Sequence, residues 1–344
     1  IKAKNLMSNI TASSITGNPT DETFIQNTAD FSIKLFQNSI KEKENSLISP
    51  LSVMLALSMT ANGANGNTKT ETEQLLANGM SIEELNKYLY TYINNLPSFE
   101  KSQLKIANSI WFRDEENRFT PEKLFLQTNA DYYGASVYKS PFDKQTLKDI
   151  NKWVDNKTNG MIEKILDDIS AESVMYLINA VMFDAKWETP YEKNDIHDDT
   201  FNAYDGSKKT VSMMSSSEGK YIESDTAKGF IKDYAEGHYS FVALLPNEDI
   251  DINDYIASLT GEKFISLMKS CQNTETRVKM PKFKYDYSIK MNDPLKQLGM
   301  PTAFDSDNAD FSKLGSSPIG NLYIENVIHK TFISVDEFGT KAGA

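Results

Sequence analysis

The stretch VMYLINAVMFDAKW, running from Val174 to Trp187, decides how this chain must fold. It is apolar nearly throughout, and it is longer than the roughly five or six residues of an ordinary strand. Apolar side chains on both faces predict a long strand covered on both sides. On its N-terminal side the patterns are mostly helical. Phe24, Phe31, Leu35, Phe36 and Ile40 fall on one helical stripe. Leu51 to Met59 is apolar nearly all round, which predicts a helix buried on every side. The capping box Ser81-x-x-Glu84 opens a third helix, with Leu85, Tyr88, Leu89 and Tyr92 at helical spacing. Thr120 followed by Pro121 reads as the N-cap and first position of a helix through Phe125. Between these, Leu104, Ile106, Ile110 and Phe112 share one alternating strand face, with Asn108 in their row.

On the C-terminal side, from Thr200 onward, the patterns are mostly β. Asp205-Gly206 marks a hairpin. Phe241 to Leu245 reads as a buried strand ending at Pro246, Arg277 to Ile289 as a further strand, and Leu322 to Val335 as another. Helices first, strands later and one long strand between them give the fold class α+β.

Composition narrows the function classes. The length of 344 residues predicts about two domains or one large fused one. Acidic residues outnumber basic ones, 48 to 36, for a net charge of −12 and a pI near 4.9. Without a basic stripe to offset that charge, nucleic acid is excluded as a partner. The single Cys271 forms no internal disulfide, and His197, His238 and His329 are too dispersed for a metal cluster. No apolar run approaches the roughly 18 residues of a membrane helix. Residues 1–22 form a polar, Ser/Thr/Asn-rich extension without a signal-peptide pattern, and 23–344 read as one domain.

The common catalytic signatures are absent: no G-x-S-x-G, no Walker loop, no dinucleotide fingerprint, no H-E-x-x-H and no C-x-x-C. Gly63 to Lys69 looks faintly like a phosphate loop, but its Lys follows the Thr, and a glycine turn ending a helix explains it. Asp195, Asp198 and Asp199 around His197 read as a solvated loop, and Asn247-Glu248-Asp249 as a solvated turn. Asn9-Ile-Thr11 and Asn156-Lys-Thr158 satisfy the glycosylation sequon. No metal, cofactor or catalytic residue is assigned, and the expectation is a protein that is not an enzyme.

Ordered segments then carry a resemblance. Asn45 to Met59, with Ser49, Pro50 and Ser52, is followed by Gly63-Ala64-x-Gly66-x-Thr68. Ile106-Ala107-Asn108 leads to Phe112, and Asn151-x-Trp153-Val154 to Thr158-x-Gly160-x-Ile162. Asn179-Ala180 leads to Trp187, and Val211-x-Met213-Met214, Leu244-Leu245-Pro246 and Met280-Pro281-Lys282-Phe283 come later. Leu298-Gly299-Met300, Ala309-Asp310-Phe311, Ile328-His329-Lys330 and Glu337 to Ala344 complete the set. From about residue 24 to the end, the chain resembles the serpin family, in family order.

The resemblance implies a large central mixed β-sheet, two further sheets and a helical N-terminal half. It also implies a suicide inhibitor of serine proteases, and of papain-like cysteine proteases as a further target class. The cleaved reactive loop would enter the central sheet as a new strand and trap a covalent acyl complex. Glu337, Gly339, Thr340, Ala342, Gly343 and Ala344 match the family's hinge; Ser49, Pro50, Ser52, Asn179 and His329 match its shutter; Trp187 matches its breach. Phe338 departs from the charged or small residue usual at its position. Pleating puts Thr340, Ala342 and Ala344 on one face, small enough for a narrow slot, with Lys341 in solvent. Gly339 is read as backbone freedom where the loop turns. In the shutter, an Asn179–His329 hydrogen bond with hydroxyl partners would exchange partners as the strands part.

Family members continue past this hinge through a scissile bond to final buried strands, so the chain reads as lacking both. A separate C-terminal fragment is expected as a partner, with the molecule otherwise monomeric. Family habit favours an extracellular or cell-surface location, and cytoplasmic residence stays open. Asn, Lys and Ile usage suggests a bacterial gene. The competing function is a non-inhibitory chaperone or carrier of the same fold; small hinge residues argue against it.

Overall fold

The computed structural model describes residues 1–115, 119–170, 172–318 and 320–344. A short strand, β1 (Lys4–Asn5), precedes four helices: α1 (Glu22–Ser39), α2 (Pro50–Ala61), α3 (Gly66–Ala77) and α4 (Ile82–Asn94). Three of these, α1, α2 and α4, start on a capping side chain. Side chains of Asp21, Ser49 and Ser81 accept the amides of Phe24, Ser52 and Glu84, each satisfying one of the orphan donors of a first turn. As the apolar pattern predicts, α2 is buried at every position from Ser52 to Ala61.

The sheets follow. β2 (Ser102–Arg113), β3 (Thr120–Pro121), α5 (Lys123–Tyr133), β4 (Ser136–Ser140) and α6 (Lys144–Lys157) lead to β5 (Met175–Lys186). Next come β6 (Ile196–Asn202), β7 (Lys208–Glu218), β8 (Tyr221–Glu223), β9 (Ala227–Asp233) and β10 (Ser240–Pro246). After α7 (Ile252–Ser258) and α8 (Gly261–Lys269) come β11 (Thr276–Pro281), β12 (Phe283–Lys290) and α9 (Asn292–Gln297). β13 (Gly315–Ser316), β14 (Ile328–Val335) and β15 (Gly339–Gly343) end the chain.

The central sheet has the order β1-β4-β2-β5-β15-β14-β12. It is mixed, because β2 and β4 run parallel while the other neighbours are antiparallel. Two three-stranded sheets, β10-β9-β8 and β11-β7-β6, and a ribbon of β13 with β3 complete the β structure. β5 is buried without interruption from Met175 to Met182, which is why its sequence does not alternate. One face of the sheet contributes Ile110, Phe112, Met175 and Leu177 to the core beneath α1 and α2. The other contributes Trp111, Tyr176 and Ile178 to a core with Trp153 and Val154 of α6. A third cluster joins Trp187, Tyr191 and Val335 to Met214, Phe230, Tyr234 and Met280 of the small sheets.

Residues 1–22 lie against this body. The amides of Lys2 and Ala3 donate to Asp149 Oδ2 at 2.7 and 2.9 Å. Asn18 N donates to the Lys87 carbonyl, and Tyr88 OH to Asp21 Oδ2.

Three expectations change. Thr120-Pro121 does not start a helix: it pairs with Gly315–Ser316, and α5 begins after Glu122, whose amide donates to the Leu314 carbonyl. A partner strand distant in sequence outcompetes the local signal. The Arg277–Ile289 run divides at Pro281, with β11 and β12 in different sheets. Lys282 N at the break donates to Ser212 O, the next position along the β11–β7 register, before the chain crosses to the central sheet. In the Leu322–Val335 run, pairing begins only at Ile328. Leu322, Ile324 and Val327 before it are apolar and buried, but the backbone partners of this stretch lie elsewhere. Ile324 N donates to Ala303 O, and Asn292 spans Glu325 O and Val327 N through its side-chain amide.

Candidate functional site

The segment expected to be a hinge is itself a strand of the central sheet. β15 sits between β5 and β14, with Thr340 opposite Ala185 and Val335, and Ala342 opposite Phe183 and Ile333. Beyond it, Ala344 and Val181 exchange both backbone hydrogen bonds, at 2.7 and 2.9 Å. The pleat sorts the side chains as their sizes predict: Thr340 and Ala344 are buried, Ala342 is partly buried and Lys341 is exposed. Gly343 is buried on the opposite face, where an added Cβ would lie 3.4 Å from Met161 and Ile162.

Gly339 is required for a different reason from the one expected. It lies outside the left-handed region, but a Cβ there would fall 2.0 Å from the Ala185 carbonyl oxygen and 2.8 Å from Lys186 Cα. The need is close approach of two backbones.

The mouth of the slot grips the hinge by its carbonyls. Trp187 donates twice, from Nε1 to Asp336 O at 2.8 Å and from its amide to Phe338 O at 2.9 Å. The Tyr191 amide donates to Glu337 O at 3.0 Å. Asp336 closes the turn by accepting the Phe338 and Gly339 amides on Oδ1. Lys282 Nζ lies 2.6 Å from Glu337 Oε2 and, through that hydrogen bond, holds the Glu337 carboxyl below its usual range. Trp187 stacks on Tyr234 with centroids 4.7 Å apart, and Tyr234 OH donates to Thr340 Oγ1 at 2.7 Å. Burial pushes the Tyr234 hydroxyl well above its ordinary pKa, so it remains a donor. Phe338 is 63% exposed and stands outside the slot.

Beneath the strands, Ser49 Oγ lies 2.8 Å from Ser52 Oγ, and Pro50 takes the first helical position of α2. His329 is buried, and its Nε2 accepts the Ser49 amide at 2.9 Å. That fixes Nε2 as unprotonated, and burial draws the imidazole down to about 4. The expected Asn179–His329 bond is not made. Asn179 Nδ2 donates to Asn108 Oδ1 at 2.5 Å, and Asn179 Oδ1 is buried without a partner among the described residues. β15 holds β5 and β14 two strand spacings apart at its own level, about 9.5 Å, and Asn179 and His329 lie two register positions beyond Ala344 on those two strands.

Tyr234, Lys282, Tyr191 and Asn108 were not assigned to the site from sequence. Asn108 had a signal, a polar residue in an otherwise apolar row, whereas the other three are recruited by contacts between sheets.

A sequence model described as "Serpin (serine protease inhibitor)" matches residues 26–344. Human Serpin B9 is 29% identical over 337 residues, covering 94% of this chain and 88% of its own. Mouse leukocyte elastase inhibitor A is 31% identical over 340 residues, covering 91% and 86%. Among solved structures, the thermophilic serpin tengpin is similar in its native state, at 59% identity, TM-score 0.96 and coverage of 98% and 87%. Its latent state is similar at 61% identity, TM-score 0.91 and coverage of 95% and 89%.

Proposed function

The chain belongs to the serpin family, and from that premise we propose that it is a suicide inhibitor of serine proteases, acting through insertion of its hinge into the central sheet. The observation that carries this reading is β15, a small-residue strand seated in register between β5 and β14. The protease serine attacks the scissile carbonyl of the reactive loop beyond the hinge. An ester forms, the peptide bond breaks, and the new amine departs with the serine proton. The loop then continues the strand that β15 begins and carries the protease with it. A displacement of about 1 Å in the protease's active site can cost a hundredfold in rate, so water no longer resolves the ester.

The energy comes from pairing. Five strand residues flanked on both sides form about ten backbone hydrogen bonds, at about 0.5–1.5 kcal/mol net each. Continuation of the strand would add more on the same scale. Ser49, Ser52, Asn179 and His329 are the polar groups under the parting strands, and their partners in this inserted arrangement are Asn108 and the Ser49 amide.

The molecule also offers a seat for strands of the kind that follow the hinge in the family. β10 is paired along one edge only, and an apolar groove of about 560 Å³ is lined by Phe24, Ile33, Phe36, Tyr92 and Phe264. No helix among the described residues is long and apolar enough to cross a membrane.

The test uses protein extended through a reactive loop and C-terminal strands of the family type. It is mixed with trypsin-, chymotrypsin-, elastase-, subtilisin- and papain-like proteases and resolved on a denaturing gel. A boiling-resistant band at the summed mass is expected with at least one serine protease, and a band with the papain-like enzyme would add cysteine proteases to the targets. Clean cleavage without such a band across the panel overturns inhibition and leaves a chaperone or carrier of the same fold.

A further inference from the structure

The inward row of β9, with the residue that follows it, reads Phe230, Lys232, Tyr234, so a lysine occupies a position where the pattern asks for an apolar side chain. Lys232 is 4% exposed. Its Nζ lies 2.7 Å from Glu218 Oε1 at the end of β7, and Glu218 also accepts Ser216 Oγ at 2.7 Å. The same ammonium stands 4.6 Å from the centroid of the Tyr191 ring and 5.6 Å from that of Trp187. One cation therefore ties together the central sheet and both small sheets. The two rings it faces belong to the two residues that donate to the carbonyls of Asp336, Glu337 and Phe338.

Burying an ammonium is costly, and an apolar side chain of similar length would fill the space more cheaply. A cation desolvated between two aromatic faces, with a carboxylate fixing its position, returns part of that cost and holds both rings in place. We propose that Lys232, anchored by Glu218, is a positioning residue for hinge capture: it sets Trp187 and Tyr191 so that their donors meet the first hinge carbonyls as insertion starts. This rests on the insertion reading above and names a residue that controls its speed.

The experiment uses the complete inhibitor with its reactive loop. The loop is cut with a protease that is not trapped, and the appearance of the more heat-stable, inserted form is followed in time. Lys232→Met should develop that form about thirtyfold more slowly, the size of one desolvated cation–π contact. With a trapped protease, its share of cleaved but free inhibitor should rise by a similar factor. Lys232→Arg, which keeps the charge and can still stack on the rings and pair with Glu218, should return both readings to within about twofold of the wild type. If Lys232→Met does not fold, Glu218→Gln carries the same expectation, because the ammonium loses its anchor. Insertion of the methionine variant, or of the glutamine variant in its place, at the wild-type rate overturns the proposal, as does failure of arginine to rescue. Wild-type protein that gains no heat stability on cleavage overturns the insertion reading instead.

Discussion

Thr340 shows how narrowly the slot is built. It is 4% exposed, its hydroxyl takes the Tyr234 phenol, and the cluster of Trp187, Tyr234, Ala185 and Val335 surrounds it. A hydroxyl is small enough for that space and polar enough to satisfy the phenol. Thr340→Arg would place a guanidinium among these side chains in place of that hydroxyl, at a cost of several kcal/mol. The loop should then be cut by the target protease without forming a covalent complex, leaving only cleaved inhibitor on a denaturing gel. Thr340→Ser, which keeps the hydroxyl, should still form the complex. A complex of normal yield from the arginine variant would show that Thr340 does not enter the sheet during inhibition.

For β15 as an element, the decisive contact is backbone against backbone. A Cβ on Gly339 would lie 2.0 Å from the Ala185 carbonyl, and neither partner is a flexible side chain. Gly339→Val should therefore push the head of the strand off β5 while the rest of the sheet stays paired. Hydrogen exchange reads this directly. The Trp187 amide, bonded to Phe338 O, should lose at least about fivefold in protection, an opening cost that one backbone bond of about 1 kcal/mol supplies. Amides of β2 should not change, and equal protection of Trp187 in both proteins would refute the close-approach argument. At this scale the sequence was most informative: β5 announced itself by length and near-continuous apolarity, and β15 by its resemblance to the family's hinge, with small residues alternating along it. Local signals failed where a remote partner supplied the hydrogen bonds, as Gly315–Ser316 does for Thr120–Pro121 and Asn292 for the Glu325–Val327 backbone. The slot-mouth residues Tyr191, Tyr234 and Lys282 share no spacing along the chain, because three sheets meet there.

At the scale of the whole molecule, acid acts on two sets of groups in separate windows. His329 is neutral in the fold, with its pKa drawn from 6.5 to about 4 by burial. In the unfolded chain it binds a proton from about pH 6.5 downward, so stability that is full above that value is lost as pH falls toward 4. The loss reaches about 3 kcal/mol at pH 4. Carboxylates held below their usual range, such as Asp143 through the Thr146 amide and Glu337 through Lys282, keep their contribution until lower pH. Meanwhile the net charge of −12 at pH 7 shrinks toward the pI of 4.9, which relieves self-repulsion and partly masks the histidine. The comparison that isolates His329 is His329→Asn, whose amide oxygen can still accept the Ser49 amide and which does not titrate. In urea unfolding at pH 7, 5.5 and 4, the wild type should lose its advantage over this variant progressively, by about 3 kcal/mol across the range. A difference that stays constant with pH would mean that His329 carries its proton inside the fold, and that its Nε2 does not accept the Ser49 amide there.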